Sequence, residues 1–123
     1  MKVLVLLLAV LALPMEVQSH AVLVSSTPRD NSTVKSSPKR VVLNFDARIE
    51  KNVSRVSLSS TKGPKVALKM PDGGYTGGKV NQLIVPMPLL KPGSYKLEYR
   101  VLASDGHLTP GLVRFTVSGG KSP

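Results

Sequence analysis

The sequence predicts an all-β protein, a seven-stranded antiparallel Greek-key β-sandwich of immunoglobulin-like type. Three observations carry this. After position 20, apolar residues recur with period two more than with period 3.6. Pro and Gly interrupt the chain at roughly ten-residue intervals, the spacing of short strands joined by turns. No window of roughly ten residues carries the apolar stripe of an amphipathic helix.

In chain order, residues 1–19 are set apart from the fold. A basic start, Met1-Lys2, precedes an unbroken apolar run over 3–13 that Pro14 ends. The run is shorter than the roughly 20 residues a bilayer-spanning helix needs and matches the hydrophobic region of a secretory signal peptide. Val17 and Ser19 supply small residues at the −3 and −1 positions of a cleavage site, so His20 is expected to become the amino terminus. The first strand is expected over 21–26, closed by Pro28 and a turn at Asp30-Asn31-Ser32. Alternation of Val41, Leu43 and Phe45 with Val42 and Asn44 gives the second. Val56 and Leu58 give the third, ended by Lys62-Gly63-Pro64. Short candidates follow at 66–69 and 83–85. The clearest strand is 94–103, where Tyr95, Leu97, Tyr99, Val101 and Ala103 share one face and Lys96, Glu98 and Arg100 the other. The last runs over 112–117 with Val113, Phe115 and Val117 inward. The globular domain is expected over 20–118, with a disordered tail at 119–123.

Composition narrows the chemistry. The 123 residues include no Cys, which excludes a disulfide scaffold, a thiolate metal site and a cysteine nucleophile. An apolar fraction of 41% excludes a disordered basic tail, although Lys+Arg exceed Asp+Glu by 17 to 7. The cations are spread without a long run and read as solvated strand faces and loops, with at most weak attraction to anionic envelope surfaces. An exported chain without aromatic–basic clusters is not expected to bind nucleic acid. The paired glycines at 73–74 and 77–78 around Tyr75 lack the Lys-Ser/Thr sequel of a phosphate-binding loop and read as a mobile hairpin loop.

The chain has 2 His, and both stand in chelating contexts. An amino-terminal His20 offers one metal two nitrogens, its α-amine and its imidazole Nδ1, which close a six-membered ring. His107 follows Asp105 and Gly106. In an extended segment, residues i and i+2 point to the same side, so Asp105 and His107 would present a carboxylate oxygen and an imidazole nitrogen together. Three nitrogens and one oxygen suit the tetragonal preference of Cu(II), with Ni(II) and Zn(II) held more weakly. With both His so committed, no hydrolase triad is expected. Met70 and Met87 lie apart, so no thioether site for Cu(I) is expected.

Three stretches also carry a resemblance: His20-Ala21-Val22-Leu23-Val24-Ser25-Ser26-Thr27-Pro28, Leu90-Lys91-Pro92-Gly93-Ser94-Tyr95, and Tyr99-Arg100-Val101-Leu102-Ala103-Ser104-Asp105-Gly106-His107. Together they resemble the CopC family, exported copper-binding proteins of bacterial copper resistance and homeostasis. The resemblance implies an immunoglobulin-like or cupredoxin-like sandwich. It implies Cu(II) held by His20, Asp105 and His107. With the cleaved signal peptide, a periplasmic or secreted location is expected, and the chain is expected to be a monomer and not an enzyme. The resemblance further implies a membrane copper transporter of the CopD type as a partner. The chain departs from the family pattern at Tyr99, where Trp is frequent, and at Phe45-Asp46-Ala47, where Phe-Ser-Glu is frequent. The one-residue shift turns the carboxylate of Asp46 to the other face of a strand, so Asp46 is not expected among the ligands. Two rival readings share the fold: a histidine-brace copper oxidase of polysaccharides and a metal-free adhesion module. Small size, the lack of an exposed aromatic platform and the anionic Asp105 weigh against the first; nothing specific supports the second.

Overall fold

A computed structural model of the protein describes residue 12 and residues 21–119. His20, the rest of the expected leader and residues 120–123 lie outside the described residues. Eight strands run in the order β1 (Leu23–Thr27), β2 (Ser32–Val34), β3 (Arg40–Phe45), β4 (Ile49–Ser60), β5 (Lys65–Val66), β6 (Gln82–Pro86), β7 (Gly93–Ala103) and β8 (Leu108–Val117). They form a three-stranded sheet, β1-β3-β6, and a five-stranded sheet, β2-β8-β7-β4-β5. Among the described residues no helix is long and apolar enough to cross a membrane.

The core lies between the sheets and is built from the alternating positions. Val41, Leu43, Leu83, Leu97, Val101 and Val113 are wholly buried, each such side chain stabilising the fold by about 1.5–3 kcal/mol. Aromatic rings from both sheets meet there. Phe45 and Tyr99 pack edge-to-face at 5.6 Å, and Tyr95 stacks on Phe115 at 5.8 Å. The face expected for 94–103 is the buried face: Tyr95, Leu97, Tyr99, Val101 and Ala103 are all inside.

Four expectations are revised. The expected turn at Asp30-Asn31-Ser32 leads directly into an additional strand, β2, which runs parallel to β8. The sandwich is therefore antiparallel except at this edge. The cause is local. Asn31, with φ of 60°, donates its backbone N–H to the carbonyl of Arg114 at 2.7 Å, and Asp30 Oδ1 accepts from the backbone N–H of Arg114 at 2.8 Å. These bonds deliver Ser32 alongside Phe115. Next, β4 begins at Ile49, well before the expected Val56. A bulge between Glu50 and Arg55 breaks the alternation that would have revealed it. Similarly, β8 begins at Leu108 because Pro110 and Gly111, which read as breakers, lie within its pairing with β7. By contrast, the segment expected as a strand over 66–69 contributes only the short β5.

The glycine-flanked loop around Tyr75 is anchored rather than free. Tyr75 is 3% exposed and belongs to the core. Lys51, in the β4 bulge, donates from Nζ to the carbonyls of Gly77 and Gly78 at 2.7 and 3.1 Å. Gly74 has φ of 82°, and a Cβ there would press on the backbone of Asn52.

Candidate metal centre

The turn between β7 and β8 carries Asp105 and His107. Its frame is a pair of backbone bonds: Ala103 N–H to the carbonyl of His107 at 2.9 Å, and Gly106 N–H to the carbonyl of Ala103 at 3.0 Å. Gly106 has φ of 89°, a left-handed conformation that glycine adopts without the Cβ penalty. Asp105 then closes the turn. Its Oδ1 accepts the backbone N–H of His107 at 3.0 Å, and its Oδ2 lies 3.0 Å from His107 Nδ1. The expected juxtaposition of the two side chains is present. Its origin is this Asp-closed turn, not the pleat of an extended strand.

The 3.0 Å separation is informative for a metal. When no ion lies between them, it is a hydrogen bond from Nδ1–H to the carboxylate. It is also the spacing of two neighbouring ligands at a right angle: with metal–ligand bonds of about 2.0–2.2 Å, the edge is about 3 Å. Access is open on the imidazole side, where 62% of the His107 side chain is exposed against 20% for Asp105.

The start of β1 arrives at the same end of the sandwich. Ala21, the residue after His20, is buried in the core at 1% exposure. Val22 N–H donates to Asp46 Oδ1 at 2.8 Å, and Asp46 N–H donates back to the carbonyl of Val22 at 2.9 Å. Leu23 pairs with Phe45, and beyond the corner at 46–48 Ile49 pairs with Ala103, at the base of the Asp105–His107 turn. One corner of chain thus links the first strand to the turn. Asp46, set aside from the ligands because of its shifted register, holds the segment that carries His20. Sequence reasoning missed that role, because a side chain bonded to a distant backbone N–H leaves no periodic signal.

Among the described residues, no three or more His, Cys, Asp or Glu side chains gather into one group. Asp105 and His107 are brought together; His20 lies outside the described residues. Met70 is exposed and Met87 packs partly against the core.

Comparison with known proteins agrees with this architecture. The family model of the CopC domain matches residues 23–118. Copper resistance protein C of Xanthomonas campestris pv. juglandis is 34% identical over 106 residues, covering 80% of each chain. Among solved structures, CopC from Methylosinus trichosporium OB3b is similar with a TM-score of 0.74 and 34% identity, covering 85% of this chain and 99% of that one. PcoC, a methionine-rich copper resistance protein from Escherichia coli, is similar at a TM-score of 0.70 and 29% identity, covering 81% of this chain and all of that one.

Proposed function

Because the chain belongs to the CopC family, we propose that it is an exported copper-binding protein of copper homeostasis or resistance. In this reading it sequesters Cu(II) or delivers it to a membrane copper transporter of the CopD type. The observation that carries the reading is the Asp105 Oδ2–His107 Nδ1 spacing of 3.0 Å, held by backbone bonds that do not involve the metal-facing atoms. His20 supplies its α-amine and imidazole Nδ1, His107 its Nδ1 and Asp105 a carboxylate oxygen. Copper is cargo here. What the chain contributes is a nitrogen-rich, partly anionic donor set on a stiff scaffold, and binding displaces the proton shared by Asp105 and His107.

Cu(II) is the favoured ion because imidazole, amine and carboxylate donors suit it and because it heads the affinity order of the divalent first-row metals. A site for Cu(I) would need several thioethers close together, and the similar PcoC is methionine-rich. Here Met70 and Met87 sit in separate segments. The protein acts by binding. An anionic ligand occupies a position that oxygen activation on a histidine brace would need open.

The test is Cu(II) titration of the mature protein beside His107→Ala and Asp105→Asn. Asp105→Asn should weaken binding at least about tenfold, and His107→Ala more. Unchanged affinity in both variants would remove the turn from the site.

A further inference from the structure

The two outer faces of the sandwich differ in charge. On the five-stranded sheet, Arg55 of β4 stands directly opposite Arg100 of β7, and Lys96 of β7 directly opposite Arg114 of β8. Lys65 of β5 pairs with Ser59, which is itself opposite Lys96. Arg55, Lys65, Arg100 and Arg114 are exposed. Two carboxylates share these outward strand positions: Glu98, which bonds Lys96 at 3.1 Å, and Glu50, opposite Leu102 at the far end of the row. On the three-stranded sheet the corresponding outward positions, Thr27, Val42, Asn44, Gln82 and Ile84, are uncharged, with Arg40 at the end of the row. Like charges directly opposite one another weaken a sheet. Two such pairs on one face, and none on the other, act against stability unless an anionic surface lies against them. Between Arg55 and Arg100 the face dips into an open concavity of about 460 Å³ with Pro110 and Leu112 along one side.

We propose that the outer face of the five-stranded sheet docks on an anionic lipid bilayer. The face is broad, built on rigid strands and cationic across three neighbouring strands, and the chain's net charge of +10 draws it toward anionic headgroups at long range. Each cation near such a surface strengthens attachment about fivefold. The β7–β8 turn lies at one end of the strands of this sheet, so a protein lying flat keeps Asp105 and His107 at the perimeter of the contact. Attachment would hold the chain at the bilayer surface and confine its search for a membrane partner to two dimensions.

The experiment is co-sedimentation of the mature protein with equimolar phosphatidylglycerol–phosphatidylcholine vesicles and with phosphatidylcholine vesicles. The protein should bind the anionic vesicles at low salt. It should leave them near 1 M salt, where the screening length is about 3 Å, and ignore the neutral ones. Arg55→Gln, Arg100→Gln and Arg114→Gln together should weaken partitioning about a hundredfold. Lys39→Gln, Arg40→Gln and Lys69→Gln together remove the same charge elsewhere and should cost far less. Circular dichroism and Cu(II) binding confirm that both triple variants are folded. Equal loss in the two triples, equal binding to neutral vesicles, or retention on soluble polyphosphate without vesicle binding would each overturn the proposal.

Discussion

Asp105 spends both carboxylate oxygens on one neighbour, one on the backbone N–H of His107 and one on its ring. That fixes the imidazole and, on the proposed reading, reduces the ordering cost of binding an ion. The pair was legible in the sequence from its spacing alone, because two donors one glycine apart have few ways to diverge. The geometric reason was not legible, since a pleated strand and an Asp-closed turn give the same juxtaposition. A second residue-scale feature lies on the neighbouring ladder. Gly111 faces Tyr99, whose ring lies across it, so a methyl group at 111 would coincide with Tyr99 Cζ and Oη. Glycine stands here for space rather than for a special φ. Gly111→Ala should therefore cost about 1–3 kcal/mol through displacement of the ring, seen as a lower thermal midpoint and an altered near-ultraviolet tyrosine signal. An unchanged midpoint would mean that the ring relocates freely.

At the scale of elements, strands with clean alternation were readable: Val41-Leu43-Phe45, Tyr95 to Ala103 and Val113 to Val117 have the inward faces their pattern predicts. The failures share a cause. Tertiary hydrogen bonds override local breakers, so β2 grows out of a turn, and β8 passes through Pro110 and Gly111. The loop around Tyr75 is the clearest case. Its glycines suggest freedom, whereas the tyrosine is a core residue and Lys51 ties down its carbonyls. Tyr75→Ala should cost about 3 kcal/mol or more, as buried aromatic truncations do. For a domain of this size that is a fall in thermal midpoint of more than about 10 °C. A shift of a degree or two would show that the loop is dispensable to the core.

At the scale of the whole molecule, the sandwich places cations outside and buries its phenols. Burial pushes the ionisation of Tyr75 and Tyr99 above the usual tyrosine range. The charge of Asp30 adds to the effect at Tyr99, and Arg55 opposes it at Tyr75. A raised folded-state value means that the folded protein holds these protons more tightly than the unfolded chain. Their contribution to stability is whole below the unfolded value of about 10 and is lost as the pH rises through the folded value. The urea midpoint should hold up to pH about 9 and fall as the pH rises past about 10, and Tyr75→Phe with Tyr99→Phe should flatten that fall; an equally steep fall in the double variant would place its origin elsewhere.

The same scale holds the functional claim. The fold brings the first strand and the β7–β8 turn to one end; the proposal is that the amine of an amino-terminal His20 and the Asp105–His107 pair serve one ion. The most direct measurement is Cu(II) affinity, with electron paramagnetic resonance, for protein beginning at His20 and for protein carrying one residue before it. The extension converts the amine into an amide and breaks the chelate, so affinity should fall by orders of magnitude and the spectrum should change. Equal affinity and identical spectra for the two forms would contradict a site built on the amino terminus.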